Sequence, residues 1–89
     1  MSEKVYYVYK IINCINNKIY IGKHKGLLND NYLGSGKIIK RAIQKYGKEN
    51  FLVECIEQLP NDKLSEREQY WIAYYDTYLG DGYNSTFGG

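Results

Sequence analysis

The sequence predicts an α+β fold: a small three-stranded antiparallel sheet flanked by helices, in the order β-β-α-β-α. The first observation is a pair of strand-like runs around an Asn-rich turn. Residues 5–12 are β-branched and aromatic, and residues 18–23 read Lys-Ile-Tyr-Ile-Gly-Lys. Asn16-Asn17 lies between them, and Asn tolerates the left-handed geometry of a tight turn, so the unit reads as an antiparallel hairpin. The second observation is that apolar residues recur at helical spacing in two later segments, with a strand-like run between them.

Each element has its own signal. Residues 24–36 carry Gly26, Asn29, Asp30, Asn31, Gly34 and Gly36. They are expected to form a long loop, the kind of connection that often carries function. Ser35 is a candidate N-cap for a helix over about 37–46, in which Ile38, Ile39, Ala42, Ile43 and Tyr46 share a face. Gly47 suits a left-handed stop. Residues 51–59 read as a third strand, ended by Pro60. A second helix is expected over about 62–75, with Leu64, Trp71, Ile72 and Tyr75 as its buried stripe. Ser65 and Glu68 also have the spacing of a capping box, which leaves the start open by one turn. The segment Gly80 to Asn84 is turn-rich and then extended.

The chain has 89 residues, which suits one domain over 1–89. A domain of this size buries only roughly 60% of its unfolded surface. Eleven tyrosines supply much of the apolar content, and each can bury a ring while its hydroxyl meets water. Net charge is +2, which permits a polyanionic partner without requiring one. The charge is unevenly spread. Lys37, Lys40, Arg41, Lys45 and Lys48 crowd the polar side of the first helix, whereas Asp62, Glu66, Glu68 and Asp76 fall late. Cys14 and Cys55 have no metal-like spacing and read as reduced thiols. The start has no apolar run and no stretch approaches a membrane span, so the expectation is a soluble, intracellular (cytoplasmic) protein.

The chemistry signal lies in residues 7–22: Tyr7-Val8-Tyr9, ten residues, then Tyr20-Ile21-Gly22. This resembles the signature of the GIY-YIG nuclease superfamily. The second triplet matches fully. The first keeps the tyrosine as Tyr9 but has Tyr7 and Val8 where the family has Gly and Ile. Three further segments resemble the family in order: Tyr46-Gly47 with 51–59, the run Glu66-Arg67-Glu68-Gln69-Tyr70-Trp71, and Gly82-Tyr83-Asn84. The resemblance is to phage-type homing endonucleases and their free-standing relatives. It implies a metal-dependent DNA endonuclease acting on double-stranded DNA, with the metal-binding glutamate at Glu68 and a functional asparagine at Asn84. Such enzymes often borrow a separate DNA-binding domain. One departure matters: the family's arginine soon after the second triplet is absent, and Lys23, His24 and Lys25 are the candidates to replace it. That gap and Tyr7 together keep a second reading open, a nucleic-acid-binding module that has lost catalysis.

Phosphodiester hydrolysis needs an activated water, neutralisation of phosphoryl charge, and help for the leaving oxygen. The resemblance implies one divalent ion on Glu68, and carboxylate-plus-water ligation suits Mg²⁺ or Mn²⁺. Tyr9 is the candidate base. Its ordinary pKa of about 10 calls for a neighbouring cation or second base, and His24 or a nearby lysine can supply it. Tyr20 is expected to orient water or phosphate. Lys23, Lys25, Lys37, Lys40 and Arg41 are the candidate phosphate contacts.

Overall fold

Strand β1 (Val5–Asn13) sorts its side chains into two apolar layers, and the rest of the fold is built on that division. The structure is a computed structural model, and it describes residues 5–26, 36–78 and 82–85. After β1 come β2 (Ile19–Gly26), α1 (Lys37–Tyr46), a 3₁₀ turn at Lys48–Asn50, β3 (Phe51–Gln58) and α2 (Asn61–Tyr75). The sheet order is β2-β1-β3, with both pairings antiparallel. Fold class and element order agree with the expectation from sequence.

Alternation on β1 explains the layers. Tyr7, Tyr9 and Ile11 point to one side and pack with Ile39 and Ala42 of α1, Phe51 and Tyr83. Val8 points to the other side, where Ile21 joins Leu64 and Ile72 of α2. A central strand buried on both faces must be apolar at nearly every position, and β1 is. On α1 the core-facing residues leave Lys37, Lys40, Arg41 and Lys45 exposed on the far side.

The hairpin turn uses Asn17 at φ 65°, where the amide side chain lowers the cost of left-handed geometry. Asn13 is fully buried; its Oδ1 accepts from the Ile15 N–H and its Nδ2 donates to the Tyr83 hydroxyl at 3.0 Å. Gly47 has a positive φ of 92°, and its N–H donates to the Ile43 carbonyl. A side chain there would be strained in the backbone and crowded by Glu49.

Four expectations need correction. The loop expected from residue 24 starts later, because β2 continues to Gly26. Gly26, Lys25 and His24 pair with Val5, Tyr6 and Tyr7, so the early half of β1 supplies the partners that hold this polar run in the sheet. Gly36, not Ser35, stands at the N-cap of α1, without a side-chain cap. Ser35 and the segment 27–35 lie outside the described residues. The Ser65–Glu68 capping box does not form. Helix α2 begins at Asn61 after Pro60, which places both residues inside the helix. Trp71, expected in the core, is half-buried, and its indole N–H donates to Glu57 Oε2 at 2.5 Å.

Ile39 fills the α1 layer completely. Ile39→Ala is therefore expected to cost about 2–5 kcal/mol in chemical denaturation. Lys40→Ala, one residue on and exposed, should stay within about 0.5 kcal/mol.

Candidate active site

Tyr9 and Gly22 are direct cross-strand partners, and the Tyr9 phenol lies over the glycine. A Cβ at Gly22 would run into Tyr9 Oη and Cζ and approach Cε1 to 2.8 Å. Strand residues two apart share a face, so Tyr20, Gly22 and His24 form the α1-facing row of β2. The missing side chain at Gly22 is the slot that the Tyr9 ring occupies, between the positions of Tyr20 and His24. The Tyr9 and Tyr20 ring centroids are 6.2 Å apart. Tyr9 is 1% exposed, while Tyr20 and His24 are half-buried. Eleven tyrosines made any single one uninformative by composition; register with Gly22 distinguishes Tyr9.

The next positions of β2 face α2. Lys23 Nζ donates to Ser65 Oγ at 2.6 Å. Ser65 lies one helical turn before Glu68, and Glu68 is 8% exposed on the Leu64–Glu68–Ile72 stripe. Strand β2 is the edge of the sheet. Tyr9, Tyr20 and His24 thus stand on one side of this edge, and Glu68 belongs to the helix covering the other side. Lys25 is exposed, with its ammonium 5.3 Å from the Tyr6 ring centroid. Lys37, Lys40 and Arg41 are exposed on α1 and turned away from its core face.

Asn84 is buried and bound to the strand edge. Its Oδ1 accepts from the Ile21 N–H at 2.9 Å, and its Nδ2 donates to the Ile21 carbonyl at 2.8 Å. Thr77 Oγ1 donates to the same Oδ1 at 2.7 Å, and the Asn84 N–H donates to the Thr77 carbonyl. The Tyr83 N–H donates to the Ile19 carbonyl at 2.9 Å. The tail therefore takes the place of a fourth strand along β2. Gly82 allows the close approach, since a Cβ there would meet Thr77 Cα and O at 2.5 Å and Ile19 O at 2.8 Å.

No group of three or more His, Cys, Asp or Glu side chains is assembled among the described residues. A fully protein-ligated metal cage is therefore not formed by them. A single buried carboxylate such as Glu68 matches the other mode, an ion that keeps most of its waters and takes one carboxylate. The cysteines are separate and free. Partial burial, then the Glu57 carboxylate, push the Cys55 thiol above its ordinary range, which disfavours the reactive thiolate.

The chain superposes on the catalytic domain of the homing endonuclease I-TevI with a TM-score of 0.76, covering 91% of this chain and 98% of that one at 27% identity. A Glu→Ala mutant of the same catalytic domain gives a TM-score of 0.76 over 96% of this chain and 97% of that one, at 23% identity. In sequence, the chain is 49% identical over 87 residues to a candidate endonuclease of Enterobacteria phage T4, segB, covering 94% of this chain. The chain belongs to the GIY-YIG nuclease superfamily. It is also 33% identical over 97 residues to the phage T4 intron-associated endonuclease 1. No family-wide sequence model matches it. This GIY-YIG chain spans about two fifths of the length of two of the phage relatives it matches, 39% of segB and 41% of segD.

Two residues beside this candidate site were not singled out by sequence as site residues. Ser65 was read only as a cap, yet its hydroxyl holds Lys23. Thr77 gave no local signal, because its partner Asn84 is seven residues away in the chain and meets it only on folding.

Gly22→Ala is expected to force the Tyr9 ring from its slot and cost about 1–3 kcal/mol, read by denaturation and by a changed Tyr9 ring environment in NMR. Asn84→Ala leaves the Thr77 hydroxyl and the Ile21 edge without that partner. Its expected cost is about 1–3 kcal/mol, with faster amide exchange at Ile21.

Proposed function

We propose that this chain is the catalytic domain of a divalent-metal-dependent DNA endonuclease of homing type, acting on double-stranded DNA inside the cell. The observation that carries this reading is the Tyr9 phenol lodged over Gly22, in one row with Tyr20 and His24. Glu68 lies on the helix that covers the opposite face of the same edge strand. The kinship with phage endonucleases supports it.

In this mechanism Glu68 would hold a hydrated Mg²⁺ or Mn²⁺, and the ion when bound supplies charge neutralisation at the phosphate and its leaving oxygen. Tyr9 takes the proton of the attacking water. Its slot excludes solvent from the ring, and His24 on the same strand face supplies the second base that a phenol needs at neutral pH. Tyr20 orients water or phosphate by hydrogen bonding. Lys23, whose ammonium donates to Ser65 one helical turn before Glu68, is our candidate to stand in for the family's arginine. Asn84 acts through the backbone: by fixing Ile21 it fixes Tyr20 and Gly22 on either side, which makes it a positioning residue.

The outer face of α1 carries Lys37, Lys40 and Arg41 with no acidic residue on the helix. It suits contacts to phosphates away from the scissile bond. Recognition of a long target would fall to a separate DNA-binding domain, since a domain of this size offers few base contacts.

A plasmid-nicking assay with Mg²⁺ tests the proposal. Wild type should nick or cut. Glu68→Ala should lose at least about 10²-fold, and Tyr9→Phe about 10²–10⁴-fold in single-turnover rate. Cutting by Glu68→Ala at the wild-type rate would sink the site. Replacing Lys37, Lys40 and Arg41 together by Gln should reduce the slope of log affinity against log salt by about 2–3.

A further inference from the structure

The aromatic row on the α1 side of the sheet contains one ring that the proposed reaction does not use. Tyr7 lies two residues before Tyr9 on β1 and is 4% exposed. It stands where the GIY-YIG signature has glycine, so its side chain is an addition at this position. Tyr7 is the direct cross-strand partner of His24. The two rings meet edge to face, with centroids 5.7 Å apart and planes at 84°. On its other side Tyr7 meets Tyr9, at 6.0 Å and 63°. Both pairs fall in the separation and tilt where ring quadrupoles attract. Tyr7 therefore touches both the candidate base and the histidine assigned to assist it.

The backbone supports a positioning role. The pairing of β1 with β3 shifts register between Val8 and Tyr9, between the two tyrosines of the row. The extra residue of this bulge is Ile56 on β3, while β1 keeps an unbroken register with β2 from Val5 to Ile12, so Tyr7 and Tyr9 stay in one row over His24 and Gly22. The Tyr9 phenol leans across β2 into the Gly22 slot, whereas Tyr7 remains level with His24. A glycine at position 7 would remove the ring against which the imidazole rests.

We infer that Tyr7 is a positioning residue, whose ring holds the His24 imidazole beside the Tyr9 phenol. The inference rests on the nuclease reading for its consequence. The His24 imidazole accepts the phenol proton while Tyr9 accepts the proton of the attacking water. The water oxygen forms the new bond to phosphorus, the bond to the leaving oxygen breaks with its electron pair staying on that oxygen, and a proton from solvent completes the leaving hydroxyl. The imidazolium then returns its proton to the Tyr9 oxygen, and the proton taken from the water passes to solvent.

A double-mutant cycle on the full chain tests this. Single-turnover nicking of supercoiled plasmid with Mg²⁺ should fall about tenfold in Tyr7→Leu. The protein concentration giving half-maximal rate should stay within about twofold, because the loss is in the chemical step. Tyr7→Phe, which keeps the ring, should recover most of the rate. In a His24→Gln background, Tyr7→Leu should cost nothing more, since its effect passes through His24. Tyr7→Met replaces Tyr7→Leu if the latter does not fold. A folded Tyr7→Leu that cuts at the wild-type rate overturns the inference, as does a loss that multiplies with that of His24→Gln. NMR separates this from failure of the nuclease reading. If the wild-type chain cuts nothing, ring-to-ring NOEs between Tyr7 and His24, with His24 ring shifts that move in Tyr7→Leu, still support the positioning role. Their absence overturns it.

Discussion

Ile21 exchanges two hydrogen bonds with a side chain, Asn84, where an interior strand would meet another strand. An edge strand presents unpaired backbone groups that are free to shift or to recruit another chain. Here the tail closes that edge: Tyr83 binds Ile19 through its backbone, and Thr77 secures the Asn84 amide. Register matters at this edge more than elsewhere. A slip of one residue would turn Tyr20, Gly22 and His24 to the α2 face and close the slot beneath Tyr9. The site therefore depends on a buried amide that reaches no reacting atom in this scheme.

The sheet divides the chemistry by parity. The sequence Gly22-Lys23-His24-Lys25 looks like a uniform polar run, yet alternation sends His24 to the tyrosine side and Lys23 to the side of Ser65 and α2. One edge strand thus presents an imidazole on one face and an ammonium on the other, the two groups to which the proposed reaction gives proton handling and phosphate neutralisation. This arrangement also separates the α1 cations from the site. They lie outside the helix, opposite its core face, and suit electrostatic docking more than chemistry.

Much of the fold was legible because its signals are local. The β-branched run at 5–12, the Asn turn and the helical spacing over 37–46 each identify an element without reference to the others. Helix α1 was read to its ends, and α2 to within one residue at its start. The misreadings came where a partner overrode local composition. His24 and Lys25 read as loop because they are polar and lie near glycines, but β1 was long enough to pair with them. Ser65 read as a cap because Ser and Glu at that spacing often cap, but Pro60 had already set the helix start one turn earlier.

By itself the sequence determined the order of elements, the two tyrosines as candidates through their spacing, and the kinship that the superposition bears out. Local propensity and motif register are properties of neighbouring residues, so one dimension suffices for them. Only the tertiary structure decided that Gly22 is a slot for Tyr9, that Asn84 belongs to the backbone of Ile21, and that Tyr7 meets both Tyr9 and His24. Those facts depend on which faces of paired strands coincide. A side chain's partner across a sheet is set by register and parity together, and the chain acquires both only when it folds.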